Sequence, residues 1–442
     1  MSAPLPTTGD RRTVPRPHRH YDRSLRARTA SFFRGLGPGL ITGAADDDPS
    51  GISTYSQAGA AFGYGLLWSM VIALPLMAAV QLMCARIGLV AKSGLGSVLR
   101  DHYPRWLLLF ACGLLLLGNT INIAADLGGM AAAAALLVGW PVIWFVPLFT
   151  AAIVALLVFS SYRRMTQVLK WLTLALFAYV AAGILARPNW GDVLIGTVVP
   201  HARFGKDYWL TLVAILGTTI SPYLFFWQAS QEAEEEAVLR KELEGRPPRS
   251  LQRELRSART DVVAGMFFSN LISYFIILTA GATLHPAGLT NVQTAADAAA
   301  ALTPLAGHAA ALLFTIGLVG TGMLGIPVLA GSGAYAVAEA AAWRRGMDQK
   351  PRRARNFYAL IVVAMVIGMA LNFAHLDAIK MLFWAAVLNG LLAPPLIIII
   401  LVICNNREVM GAHSNGKPLN ILGGLAAVLM SAAVIALVGA VL

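Results

Sequence analysis

Ala44–Ser53 reads AADDDPSGIS, with three aspartates, a proline and a glycine in ten positions. The nearest other charged residues are Arg34 and Arg86, and nearly everything else between those two is apolar or small. The purpose of the carboxylates depends on where the chain puts them, and their surroundings decide that.

Of 442 residues, 57% are hydrophobic and 13% charged, and the mean hydropathy is +0.66. Soluble domains carry roughly 25% charged residues. Many apolar runs here approach or exceed the ~20 residues that cross a bilayer as a helix. Breaking the chain at its charged and turn-rich stretches predicts an all-α polytopic membrane protein of eleven helices. They fall near 36–59, 62–91, 106–136, 140–160, 166–186, 208–230, 260–283, 308–342, 356–374, 379–403 and 418–441.

The net charge of +12 could suggest nucleic acid, but its distribution argues against that. With the amino terminus cytoplasmic, 30 of the 34 Lys and Arg fall on the inner side, leaving Arg187, Arg203, Lys206 and Lys380 outside. That bias is the positive-inside pattern. It predicts a multi-pass protein of the cell (inner, plasma) membrane, with its carboxyl terminus outside and its basic loops near anionic lipid headgroups. No nucleic-acid partner is expected. Residues 1–34 read as a disordered basic cytoplasmic tail without a cleavable signal peptide. Cys84, Cys112 and Cys404 all lie in apolar helices without CxxC spacing, so neither a disulfide nor a cysteine metal site is expected.

Arg34 and Arg86 then share a side, and the chain crosses twice between them. A first span that starts near Leu36 and is ~20 residues long is centred near position 46, which puts the aspartates at mid-membrane. The rival reading makes 36–45 a re-entrant piece and DDDPSG a polar surface turn, and it would reverse the sidedness of every later loop. A carboxylate at bilayer depth costs several kcal/mol and faces a cavity or a partner. Pro49 removes a helical N–H, Gly51 weakens the helix, and carbonyls are left free. Such backbone is tolerated at this depth only where it lines a protein cavity. Asp48-Pro49-Ser50-Gly51 therefore reads as a broken helix offering a carboxylate and loose carbonyls to a cation.

Helix six carries a second interruption, GTTISPYLFFWQAS, from Gly217 to Ser230. Taken alone it could be an ordinary proline kink with Ser or Thr bonded back to the helix. Paired with the first break, five helices earlier, it suggests two inverted five-helix repeats. Repeat one is placed at about 36–186, repeat two at about 208–403, and an extra helix at about 418–441, within a transporter domain of 35–442.

GPG (Gly37–Gly39), DPSG, and QAG (Gln57–Gly59) followed by FGYGLLW resemble the first two helices of Nramp-family divalent-metal transporters. LRDHYPRW (Leu99–Trp106), NIAADLGG (Asn122–Gly129) and helix six, aligned through Pro222, extend the resemblance. It implies a LeuT-like fold and a divalent metal carried as substrate, with no cofactor. It also implies metal-site positions at Asp48, Gly51, Thr218, Ser221 and Gln228, and more weakly at Asp47, Asp126 and Asn389. Four positions depart from the family pattern. Gly51 stands for its Asn, Ser221 for its Met, Gln228 for its helix-six His, and Gly129 for an acid near Asp126. In these respects the chain is similar to the Nramp-related magnesium transporters.

Thioether sulfur favours softer ions, whereas oxygen donors suit Mg²⁺, Ca²⁺ and Mn²⁺. Asp48, Thr218, Ser221 and freed carbonyls offer only hard oxygens, and Gly51 is expected to leave room for the waters that Mg²⁺ keeps. None of the eight histidines falls mid-span, so the side chain best suited to shuttle protons near neutral pH is missing. Asp126 is left either to carry protons or to bond a neighbour. Asp46 and Asp47 either line an approach or bond N–H groups of the broken helix. QEAEEE (Gln231–Glu236) reads either as a cation-gathering vestibule at Glu232 or as a solvated helix end answered by Arg240–Arg259. The expected function is import of Mg²⁺, and also Mn²⁺, by alternating access without proton coupling. Proton-coupled Mn²⁺/Fe²⁺ symport is the nearest alternative. A carrier of an organic amine caged by Tyr223, Phe225 and Trp227 is an alternative of another class. No motif suggests an enzyme.

Overall fold

The computed structural model describes residues 38–159, 174–200, 205–242, 250–374 and 377–441, and every regular element among them is a helix. The expected tail at 1–34 and the first part of the fifth span lie outside the described residues. The chain divides into two units, 1–36 and 37–442, and all the described helices belong to the second.

The helices of eight or more residues are, in order, α1 (Pro38–Asp46), α2 (Pro49–Phe62), α3 (Leu67–Ala91), α4 (Leu95–His102), α5 (Arg105–Val138) and α6 (Val142–Phe159). They continue as α7 (Phe177–Leu185), α8 (Trp190–Val198), α9 (Lys206–Thr219), α10 (Pro222–Glu242) and α11 (Leu251–Thr283). The last four are α12 (Ala310–Ala340), α13 (Arg355–Asn372), α14 (Ala378–Asn405) and α15 (Lys417–Val441). Among the described residues, nine helices are long and apolar enough to cross a membrane, with α9 and α10 counted together. The expected eleven include two further passes. The first is split into α1 and α2, each too short alone, and only the α7 end of the fifth is described.

The split first span is settled by its neighbour. The 33-residue α11 packs along both α1 and α2, so the two halves make one pass and DDDPSG is not a surface turn. Small residues make the approach possible. A methyl on Gly39 would stand 2.6 Å from the Val262 nitrogen, and one on Gly43 would run into the backbone of Gly265. The amino end of α1 is bonded by its neighbour, because Gly39 N–H donates to Asp261 Oδ2 at 2.6 Å. That satisfies one of the donors a helix start leaves open. Helix α5 packs against α12, α13 and α14, and α9 lies on α14. Outward faces carry large apolar side chains such as Trp106, Leu109 and Phe159, which suits a lipid surround where polar groups have no partner.

At the bundle end where α3 turns into α4, buried Glu339 of α12 joins three elements. It accepts from the backbone N–H of Gly96 at 2.9 Å and of Ser97 at 3.3 Å, from Ser230 Oγ at 2.9 Å, and pairs with Arg345 at 3.1 Å. The acidic run after helix six belongs to the same region and is not a solvated helix end. Glu232 and Glu236 are buried, Tyr335 donates to Glu234 and accepts from Gln231, and Arg240 pairs with Glu236 at 2.6 Å. Arg240 answers Glu236 as the basic run leads one to expect, whereas Tyr335 of the facing helix is a partner the sequence does not show. Glu339→Gln keeps the shape but loses the charge that holds four donors. It is expected to lower stability by about 1–3 kcal/mol, measured by thermal unfolding of the purified protein in detergent.

Candidate metal site at two helix breaks

Each break has a proline at the start of its second half, and in each the carbonyl orphaned by that proline is taken by a hydroxyl. Pro49 has no N–H for the carbonyl of Ala45, four residues earlier, and that oxygen accepts from Tyr223 Oη at 2.9 Å. Pro222 likewise orphans Thr218 O, which accepts from Ser221 Oγ at 2.7 Å; the same hydroxyl lies 3.2 Å from Gly217 O. Each of these two orphans already holds one hydrogen bond and keeps its second lone pair. Ser221 does bond back, as a plain kink would. Even so, the helix stops at Thr219 and restarts at Pro222, with Ile220 at φ −115°, ψ 63° between them.

Asp48 occupies the position before α2 where short acceptor side chains are favoured. Its Oδ1 accepts from Gly51 N–H at 2.8 Å and from Ser50 Oγ at 2.6 Å, and its backbone is extended. Its Oδ2 faces away from this turn. There it accepts from Asn122 Nδ2 at 2.9 Å, with the Tyr223 hydroxyl at 3.4 Å. One carboxylate oxygen thus builds the helix start, and the other is presented to α5. The α2 amino terminus adds favourable potential for the negative charge.

The two breaks meet at Gly51 and Thr218. A methyl on Gly51 would stand 3.1 Å from Thr218 Oγ1 and 3.3 Å from Tyr55 Cε2. Gly51 therefore does not leave open room for water in this arrangement, because Thr218 and Tyr55 fill the space. The Thr218 hydroxyl is buried with no hydrogen-bond partner among the described residues, a donor–acceptor group left over at the junction.

The neighbouring aspartates turn the other way. Ser269 Oγ of α11 donates to Asp46 Oδ2 at 2.8 Å and lies 3.3 Å from Asp47 Oδ1, and Ser273 Oγ donates to Asp47 Oδ1 at 3.2 Å. Both are at most 2% exposed. In this arrangement their serine contacts tie the end of α1 to α11. Asp126 is tied to Asp48 through Asn122, whose Nδ2 lies 3.2 Å from Asp126 Oδ2, and Asn389 Nδ2 donates to Asn122 Oδ1 at 3.1 Å. Gln228 is not brought to this cluster. It sits seven residues, roughly 10 Å of helix rise, beyond Ser221, where it accepts from Thr42 Oγ1 at 2.5 Å and donates to Glu232 Oε1 at 2.9 Å. The aromatic cage is not assembled at Asp48 either: Tyr223 reaches the carboxylate, but Trp227 packs on Tyr335 with ring centroids 6.0 Å apart.

Asn122, Tyr223 and Ser50 are the site neighbours that sequence reasoning did not single out for this role. For Asn122 a signal exists, since it stands four residues before Asp126 and so shares its helix face. Among the described residues, no group of three or more His, Cys, Asp or Glu side chains converges on one point. Among them too, none of Asp46, Asp47, Asp48 and Asp126 is in an ion pair. A buried carboxylate whose only partners are neutral donors is incompletely compensated. Asp48 Oδ2 is thus a buried carboxylate oxygen that no ion pair among the described residues neutralises.

A multi-pass bundle with two proline-broken helices meeting at a buried carboxylate defines a membrane transporter rather than an enzyme. Residues 39–440 match the Nramp family, described as natural resistance-associated macrophage protein-like, and the chain belongs to that family. Its fold is shared with the manganese transporter of Eremococcus coleocola, solved with an aromatic bis-isothiourea substituted compound. That structure has TM-score 0.70 and 20% identity, over 95% of this chain and 87% of that one. MhsT in complex with L-phenylalanine matches with TM-score 0.57 and 15% identity, over 92% of this chain and 98% of that one. Closed Mhp1, a nucleobase-cation-symport-1 family transporter with bromovinylhydantoin bound, has TM-score 0.52 and 15% identity over 91% and 92%. The architecture is thus the LeuT-like one.

Proposed function

We propose that the protein is a secondary transporter that imports a divalent cation, Mg²⁺ first and Mn²⁺ with it, by alternating access around Asp48 and without proton coupling. The observation that carries the reading is the division of labour in one carboxylate. Asp48 Oδ1 is committed to the helix start, while Oδ2 is buried at the junction of the breaks, facing only neutral donors. The groups around it are carboxylate, amide, hydroxyl and carbonyl, a hard set that suits Mg²⁺ and Mn²⁺ over softer ions. A manganese transporter among the structural neighbours is in keeping with this.

Asp48 and Asp126 are 1% and 0% exposed, as a site closed to both sides requires. The paired breaks, each with a proline at the start of its second half, support the assignment of two repeats at about 36–186 and 208–403. The steep Lys/Arg asymmetry supports a cytoplasmic amino terminus in the plasma membrane. Protons are not needed energetically. One charge through 100 mV is worth ~2.3 kcal/mol, so a divalent ion gains roughly 4–5 kcal/mol, on the order of a thousandfold accumulation.

Proton-coupled Mn²⁺ or Fe²⁺ symport is the second reading, and the observation in its favour is Asp126, one amide away from Asp48. One experiment separates the two. With purified protein in liposomes at fixed inside-negative voltage, Mg²⁺ is expected to compete with Mn²⁺ uptake while internal pH stays constant. Acidification in step with metal entry would establish the symport reading instead, and Mn²⁺ uptake indifferent to excess Mg²⁺ would remove the hard-cation reading.

A further inference from the structure

Asp48 takes two donors from its own turn and a third from Asn122 on a different helix, and that difference points to a role. We propose that Asn122 is a reversible stand-in for the cation. Its amide nitrogen holds Asp48 while the site is empty, and its amide oxygen takes the nitrogen's place as a ligand once a divalent cation arrives. This rests on the divalent-cation reading above.

Both N–H groups of Asn122 point at carboxylate oxygens, Asp48 Oδ2 at 2.9 Å and Asp126 Oδ2 at 3.2 Å, and its Oδ1 accepts from Asn389 Nδ2 at 3.1 Å. An ionised carboxylate only accepts, which fixes the amide with nitrogen toward the acids. The partners of Asp48 Oδ1 come from its own turn, Ser50 and Gly51, so a ligand cannot displace them without unmaking the start of α2. The short partner of Oδ2 comes from α5 and can leave. A cation seated on Oδ2 repels the N–H now directed at that oxygen, and the two cannot share one direction.

The remedy is a half-turn of the amide. Its two ends are nearly equal in size, and the terminal torsion of asparagine is broad and roughly two-fold. The turn puts Oδ1 where Nδ2 stood, with no change in volume. Asn389 must turn with it, presenting its oxygen to the Asn122 NH₂. Gly118 leaves space for this: a methyl there would stand 3.1 Å from Asn389 Oδ1, so without one the NH₂ end fits in the oxygen's place. The same turn sets Asn122 Oδ1 toward Asp126 Oδ2, an oxygen–oxygen approach that only the cation's charge offsets, and Asp126 adds negative potential on the cation's side. The cation gains a neutral hard oxygen of the kind Mg²⁺ and Mn²⁺ accept. Its arrival also changes a contact between the broken helix and α5 and α14.

The test titrates Mn²⁺ into the purified full-length protein by calorimetry and measures initial Mn²⁺ uptake in liposomes. Asn122→Ala removes the exchanging oxygen and is expected to weaken the Kd about tenfold, or ~1.4 kcal/mol. Asn122→Asp supplies an oxygen but no donor. It is expected to hold the Kd within about threefold while turnover falls about tenfold, because nothing replaces the ion on Asp48. A residue that only supports the fold would lower the unfolding temperature in both variants and leave the Kd alone; that result, or an aspartate variant as weak as the alanine, overturns the exchange. One measurement needs no variant: electron–nuclear double resonance of bound Mn²⁺ in protein carrying ¹³C-asparagine, where an amide carbon coupling is expected and its absence counts against the proposal. Two failures are distinguishable. If the wild type binds no Mn²⁺, or Asp48→Asn binds it equally well, the divalent-cation reading falls. If both behave as expected but Asn122→Ala binds as the wild type does, only the exchange falls.

Discussion

Asp48→Asn is expected to leave a folded protein that no longer carries divalent cations, with saturable Mn²⁺ and Mg²⁺ uptake reduced at least about a hundredfold, or ~2.7 kcal/mol of binding. Asparagine is the informative replacement because the native residue does two things. It accepts from Gly51 N–H and Ser50 Oγ through one oxygen and faces Asn122 through the other. Asparagine is as good as aspartate at the position before a helix, whereas alanine there costs about 0.5–2 kcal/mol. The asparagine variant therefore keeps the start of α2 and loses the charge together with the acceptor that faces Asn122 Nδ2. Asp48→Ala loses both, so comparing unfolding temperatures separates the structural contribution from the electrostatic one. Asp47→Asn is the matched control: its carboxylate bonds Ser269 and Ser273 on α11, and uptake is expected to change much less. Equal losses at 47 and 48 would mean that the summed negative potential of the acidic run, and not the Asp48 oxygen, holds the ion.

The sequence makes legible whatever depends on one residue acting against lipid. Pro49 and Pro222 remove an N–H from spans that also carry polar residues and glycine beside them. That combination marks the breaks, since Pro75, Pro147, Pro327, Pro394 and Pro395 sit inside unbroken helices. The charge asymmetry of the loops and the length of the apolar runs are likewise properties of the chain itself. Whatever depends on which hydroxyl reaches which carbonyl is not legible in this way. That Tyr223 closes the orphan at Ala45, or that three consecutive aspartates diverge to two different helices, is decided by the approach of α5, α10 and α11, far away in the chain. Gly51 shows the limit best. Losing a side chain suggests a cavity, but Thr218 and Tyr55 come from both sides to fill it. Gln228 shows the same in reverse: alignment puts it at a metal-associated position, while helix rise carries it to Thr42 and Glu232.

Ser221→Met is expected to convert the site from hard to soft, strengthening Cd²⁺ binding on the order of a hundredfold, or ~2.7 kcal/mol, while Mg²⁺ uptake falls. The serine hydroxyl now serves the helix, donating to Thr218 O and lying 3.2 Å from Gly217 O. Methionine cannot donate, so the carbonyl orphaned by Pro222 is released at the same time as a thioether is introduced. The two consequences act in the same direction for a soft ion: sulfur adds a donor that Cd²⁺ prefers and Mg²⁺ does not, and the released carbonyl adds an oxygen both can use. The penalty is one net hydrogen bond, about 0.5–1.5 kcal/mol, against a helix end held on both sides by α3 and α12. Ser221→Ala isolates that penalty, since it frees the carbonyl without adding sulfur, and it is expected to leave the ratio of Cd²⁺ to Mg²⁺ affinity within about threefold of the wild type. If methionine and alanine shift the ratio equally, position 221 does not face the ion, and selectivity must come from the Asp48 and Asn122 side of the junction alone. If only methionine shifts it, both helix breaks contribute to one coordination shell.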